Sequence, residues 1–196
     1  MLFPLSNMQF SAEGARLLSE MESPTAERYL RRDSAGNVTH IKNHDVGETV
    51  GGGGITIGFG TFVRRTDIER QQWLLREFGI DATSVDIWVP IDVALRLYAH
   101  EQLVFADRAR GAIRGQGIEY VSQQQFDAIV IQVFNRNSPA IIRAYFNESL
   151  SDEQVIQEIL DDYRRLADWD QYARGWENRI RATVRVFRHG IYLRDY

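Results

Sequence analysis

The chain of 196 residues contains no cysteine. That removes disulfide frameworks, thiolate metal sites and cysteine nucleophiles together, and leaves the redox compartment undetermined. No run approaches the roughly eighteen apolar residues of a membrane-spanning helix. The opening M-L-F-P-L-S-N-M-Q-F lacks the basic start and long apolar core of a signal peptide. A protein of this kind acting beyond the cytoplasm is expected to need outside help to arrive there. Basic residues do not prevail either. Lys and Arg number 23 against 27 Asp and Glu, a formal net charge of −4, which argues against binding nucleic acid through a basic surface. No Gly-Lys-Ser/Thr follows the glycine run Gly51 to Gly54, so a phosphate-cradling P-loop is excluded and a flexible turn expected. His40 and His44 are four apart, the spacing of two helical zinc ligands, but they lie in hairpin sequence without H-E-x-x-H, and no metal site is expected. No G-x-S-x-G elbow is present for serine catalysis. Internal repeats and low-complexity linkers are absent as well.

What is present is ordinary for a folded protein. Hydrophobic residues make up 44% and charged residues 26%, and the length suffices for one domain or for two small lobes that share a helix. Charge is unevenly spread. From Arg164 to Arg194 there are eight arginines against three acidic residues, either a solvated helix face or a local attraction for an anionic polymer such as a cell-wall glycan.

The stretch from Met21 to Phe62 organises the chain. Ahead of it, Ser11 is a suitable N-cap for a helix carrying Ala15, Leu17, Leu18 and Met21 at helical spacing. Pro24 pushes the preceding residue out of the α region, so the helix is predicted to stop near Ser23 with Glu22 on its last turn. A carboxylate there faces the negative end of the helix dipole, which disfavours ionisation and suits a general acid. Ile55-Thr56-Ile57 is β-branched and reads as a strand. Gly58 and Gly60 flank Phe59, where larger side chains would block close approach of a ligand.

Beyond the hairpin the pattern is helical. Thr66 to Glu69 reads as a capping box, followed by Ile68, Leu75 and Phe78 on one stripe, with Gly79 as the stop. Ile80 to Val89 reads as a loop. Pro90 precedes a long helix running to about Ile113, closed by Gly111, Gly115 and Gly117. Ser122 to Gln125 is a second capping box before Phe126, Ile129, Val130, Val133 and Phe134, the pattern of a buried helix. Ser138-Pro139 starts a short helix. Ser151 to Gln154 caps another with Val155, Ile156, Ile159, Leu160 and Tyr163 inside. Trp176 to His189 forms the last, stopped by Gly190.

Glu22-Ser23, then Tyr29 seven residues after the glutamate, then Thr56-Ile-Gly-Phe-Gly60 together resemble the phage-type lysozymes, glycoside hydrolase family 24, with their E-G, tyrosine and T-I-G-x-G. Gln124 to Asn135 resembles the buried helix of that family ending in F-N, and Trp176 to Tyr192 is similar to the chain end of its T-even phage branch. About two thirds of the sequence follows the family's order of elements. It departs in a longer segment between Tyr29 and Thr56, in surplus between Arg64 and Pro90, and in Thr61 where the family usually has histidine.

The resemblance implies an α+β, mostly α, two-lobe lysozyme-like fold forming a single domain over residues 1 to 196. Its lobes span about 11–90, with a small β hairpin, and about 114–196, which is helical; a connecting helix covers about 91–113. It implies a muramidase that hydrolyses the β-1,4 bond between N-acetylmuramic acid and N-acetylglucosamine of peptidoglycan by inversion, without a cofactor. By the same resemblance Glu22 is the general acid, Thr56 helps hold the attacking water, and Tyr29, Gly58, Phe59, Gly60, Asn135 and Arg179 line the substrate site. For a second carboxylate, Asp33 copies the family's D-x-x-G-x-x-T spacing. Asp45, just ahead of the glycine run and the T-I-G-F-G strand, is preferred, and Glu48 is a third candidate. The expected partner is the peptidoglycan strand. A monomer is expected, with an immunity protein or delivery machinery as further partners, made in the bacterial cytoplasm and acting on the periplasmic wall after release by a holin or injection by a secretion system. Two other readings stand beside this one: a lytic transglycosylase using one glutamate, and a non-catalytic glycan-binding module of a larger secreted protein.

Overall fold

The computed structural model describes residues 1–22, 27–45, 53–166 and 169–193. It is mixed α+β and mostly helical, with small sheets. The helices are α1 (Ala12–Glu22), α2 (Ile68–Phe78), α3 (Ile91–Arg114), α4 (Gln123–Asn135), α5 (Pro139–Phe146), α6 (Asp152–Tyr163) and α7 (Trp169–His189). The strands are β1 (Phe3–Pro4), β2 (Leu30–Arg32), β3 (Val38–Lys42), β4 (His44–Asp45), β5 (Gly54–Ile57), β6 (Thr61–Arg64), β7 (Trp88–Pro90) and β8 (Tyr120–Val121). The chain divides into two compact units, one of Met1–Met21 with Gln102–Tyr196, the other of Glu22–Glu101. The helix expected in the first lobe thus has all but its last residue grouped with the C-terminal half.

In the larger unit α4 packs on α7, α7 on α6, and α5 on α6. Phe126, Ile129, Val130 and Ile131 of α4 are fully buried, as are Ala182 and Val186 of α7. The capping boxes read at Ser122–Gln125 and Ser151–Gln154 form. The Ser122 hydroxyl accepts from Gln125 N while Gln125 Oε1 accepts from Ser122 N, and Ser151 with Gln154 does the same. Each satisfies two backbone donors that a helix start leaves orphaned. Helix α7 begins at Trp169, earlier than the Trp176 expected, and ends where Gly190 takes φ +68°. Ser11 caps α1 by accepting from Gly14 N at 3.0 Å. Its own N–H and hydroxyl donate to Asp127 Oδ1 and Oδ2 at 3.0 and 2.5 Å. Asp127 also accepts from Gln123 Nε2 at 2.8 Å and from Tyr192 OH at 2.7 Å. One buried carboxylate therefore joins the start of α1, helix α4 and the tail after α7. Burial, and then the bond to Asp127, drives the Tyr192 phenol far above its ordinary range.

The smaller unit holds two three-stranded antiparallel sheets, β2-β3-β7 and β4-β5-β6, where the sequence suggests one long hairpin. The segment read as a loop ends in β7, because Trp88 to Pro90 pair with Lys42 to His40. The core is formed by Ile41, Ile55, Ile57, Val63, Leu74, Ile80, Val89, Ala94 and Leu97. Helix α2 departs from expectation twice. Its cap is Asp67, whose carboxylate accepts from Arg70 N, in place of Thr66. Its inward residue is Leu74, with Trp73 and Phe78 packed alongside, whereas Ile68 and Leu75 are 54% and 57% exposed. Arg70 explains the rotation: it pairs with the buried Glu101 of α3 and lies 4.1 Å over the Trp73 ring, which fixes the face carrying residues 70, 73 and 74 toward α3. Gly79 ends the helix in the left-handed region, as predicted, with φ +68°.

Candidate functional site

The site is built on the turn between β5 and β6. Ile55 and Ile57 alternate into the core while Thr56 stays half-buried on the opposite face, as the two-residue period of a strand requires. The turn Gly58-Phe59-Gly60 is fastened to α3. A Cβ on Gly58 would lie 3.2 Å from Ala94 Cβ, and the Phe59 ring meets the Tyr98 ring at 5.5 Å. Both glycines have positive φ, +56° and +92°. At Gly60 a Cβ would stand 2.7 Å from Glu22 Oε2. The protein atoms nearest these glycines, which the sequence reading leaves open for a ligand, are those of Ala94 at one and of the Glu22 carboxylate at the other. Phe59 likewise serves as a packing anchor on Tyr98.

Glu22 is the last residue of α1 and is half-buried. Its carboxylate lies against the turn at Gly60, where the missing Cβ leaves room for it. Tyr29 closes a short 3-10 turn, Glu27–Tyr29, and its ring lies 5.1 Å from that of His44 at a 42° tilt. The Arg28 guanidinium sits 4.8 Å from the Tyr29 ring centre. Burial, reinforced by the Arg28 charge, holds the His44 imidazole below its usual range and so in its neutral form at neutral pH.

Of the hairpin carboxylates, Asp33 is exposed and occupied by its own turn. Oδ1 accepts from Ala35 N and Asn37 N, and Oδ2 accepts from Asn37 Nδ2. These bonds, that to the Asn37 side chain foremost, hold its carboxyl below the ordinary range, and Gly36 completes the turn at φ +88°. This is the pattern of an aspartate that builds a β-turn. Asp45 pairs by backbone with Ile55, and the residue registered opposite Thr56 is His44; the Asp45 side chain lies outside the described residues, as do Glu48, Pro24, Gly51 and Gly52.

The remaining expected site residues lie in the larger unit. Asn135 ends α4, exposed, with Nδ2 donating to Ile131 O at 3.3 Å. Arg179 of α7 donates from Nη2 to Met21 O at 3.4 Å, the carbonyl just before Glu22 in the chain. The arginine-rich end is largely engaged in bonds: Arg181 bridges Glu153 and Glu177, Arg164 pairs with Asp161, and Arg188 donates to Asn147 O. His40 and His44 belong to different sheets. Among the described residues no group of three or more His, Asp or Glu could hold a metal ion. What sequence reasoning missed is the pairing of His44 with Thr56. Its signal was the short strand ahead of the glycine run, obscured because H-D-V-G-E-T-V reads as a turn.

Comparison of the chain with protein-family models, with curated proteins and with solved structures found no match.

Proposed function

We propose that the chain is a peptidoglycan hydrolase, a muramidase of two-lobe lysozyme-like fold that cleaves the β-1,4 bond between N-acetylmuramic acid and N-acetylglucosamine. The observation that supports this reading is the Glu22 carboxylate lying over Gly60 of the T-I-G-F-G turn. Glu22 and T-I-G-F-G are distant in sequence, and they are two of the parts of the chain that carry the resemblance to phage-type lysozymes. In this reading Glu22 protonates the glycosidic oxygen as the bond to the anomeric carbon breaks, and a water held beside Thr56 attacks the opposite face of the sugar, the inverting arrangement.

Digestion of purified sacculi, followed by mass spectrometry of the fragments, tests it. Reducing-end muramic acid is expected from the wild-type chain, and Glu22→Gln should release it at least about 100-fold more slowly with an unchanged melting temperature. A 1,6-anhydro product would indicate the transglycosylase instead. Retention on sacculi without release would indicate a binding module. An undiminished rate in Glu22→Gln would remove Glu22 from the chemistry.

A further inference from the structure

The sheet β4-β5-β6 has one face in the core of its unit and one turned away from it. Ile55, Ile57 and Val63 fill the core face. On the other face the register sets His44 opposite Thr56 and Thr56 opposite Phe62. Directly opposed residues of antiparallel strands project to the same side with Cβ atoms roughly 4.5–5.5 Å apart. His44, Thr56 and Phe62 therefore form one row across the sheet. His44 and Thr56 are half-buried, and Phe62 is 39% exposed. The His44 ring is steadied by the Tyr29 ring, which in turn carries the Arg28 guanidinium.

We propose that His44, the cross-strand neighbour of Thr56, is the base that takes the proton of the attacking water, with the Thr56 hydroxyl holding that water by hydrogen bonding. This rests on the hydrolase reading above. It assigns to an imidazole the role that the resemblance gives to a hairpin carboxylate. In the step, a neutral ring nitrogen of His44 accepts a proton from water as the water oxygen bonds to the anomeric carbon of muramic acid. The bond from that carbon to the bridging oxygen breaks with its electron pair, and Glu22 gives its proton to that oxygen. Imidazolium and carboxylate remain; the first loses a proton to solvent and the second regains one. Arg28 and Tyr29 are the charged and titratable groups that interact with the ring by charge and by stacking. The Arg28 charge opposes a second cation and favours the proton-accepting form.

Rates of release from purified sacculi, measured with the full chain between about pH 4 and 8, test the assignment alongside an NMR titration of the His44 ring. His44→Gln is expected to lose at least about 100-fold in kcat, with KM and melting temperature unchanged. The wild-type rate should rise with pH at the midpoint of the His44 titration, below the usual histidine range. A wild-type rate in His44→Gln, or loss in Asp45→Asn with His44→Gln active, would overturn the assignment and leave the hydrolase standing. So would a rate midpoint that does not follow the His44 titration, which decides the matter even if His44→Gln fails to fold. A wild-type chain that releases no glycan would overturn both.

Discussion

Glu22 Oε2 occupies the position beside Gly60 where any side chain would begin, 2.7 Å from an ideal Cβ. The carboxylate and the turn are thus in close contact. Gly60 is also in the left-handed region at φ +92°, and the β5–β6 turn that carries it packs on α3 through Ala94 and Tyr98.

Gly60→Ala separates that contact from simple backbone strain when it is compared with Gly36→Ala. Both glycines have left-handed φ, but a Cβ on Gly36 meets nothing within 4 Å. Each substitution is expected to lower stability by about 1 kcal/mol from strain. Only Gly60→Ala should also reduce sacculus digestion, because it moves Glu22. Equal activity in the two variants would show that the contact has no bearing on the reaction.

Asp33→Asn should leave activity intact, since both oxygens of Asp33 are engaged within its own turn. Its folded carboxyl is held below the ordinary value, so its contribution is fully present above the unfolded pKa and is lost as pH falls through the depressed folded one. Thermal melts should thus show Asp33→Asn less stable than the wild type at pH 7, with the gap closing in strong acid. A gap that persists or widens in acid contradicts this account, and an inactive variant would return Asp33 to the catalytic candidates.

Asp127→Ala removes the acceptor of four donors, Ser11 N and Oγ, Gln123 Nε2 and Tyr192 OH. Orphaned buried donors each cost about 1–3 kcal/mol, so a loss of roughly 3 kcal/mol in urea denaturation is expected after partial relaxation. Tyr192→Phe, which removes one donor, should cost about 1 kcal/mol. A loss for Asp127→Ala no larger than for Tyr192→Phe would mean that the carboxylate does not join the three segments energetically.

Local rules carried the sequence reading where a helix end depends on its own side chains. Ser122, Ser151 and Gly79 each act where their chemistry is self-contained, and α5 opens at Pro139 as read although Ser138 makes no side-chain cap bond. They failed where a distant residue decides. The Arg70–Glu101 pair turns α2 so that Leu74 faces in and Ile68 and Leu75 face out, and no periodicity within α2 reveals Glu101. The strand Trp88–Pro90 forms only because Ile41 and its neighbours are there to receive it. In the candidate site, the motif spacing pointed to Glu22 and the T-I-G-F-G segment, which lie close together at Gly60. His44 beside Thr56 was not legible, because cross-strand register depends on how the intervening loop closes.

The larger unit is made from two pieces of chain, residues 1–21 and 102–196, with the smaller unit inserted between them. On the ribosome the first piece emerges long before its packing partners. Asp127 must be synthesised before Ser11 has its partner, and Tyr192 comes almost at the end. Contacts of such sequence separation form late, after the loop entropy between them has been overcome. Residues 22–101 can assemble first, and Glu22 is the first residue of that insert. On this order of events a prematurely terminated chain would carry the acid and its turn on a completed smaller unit while the rest remained unassembled.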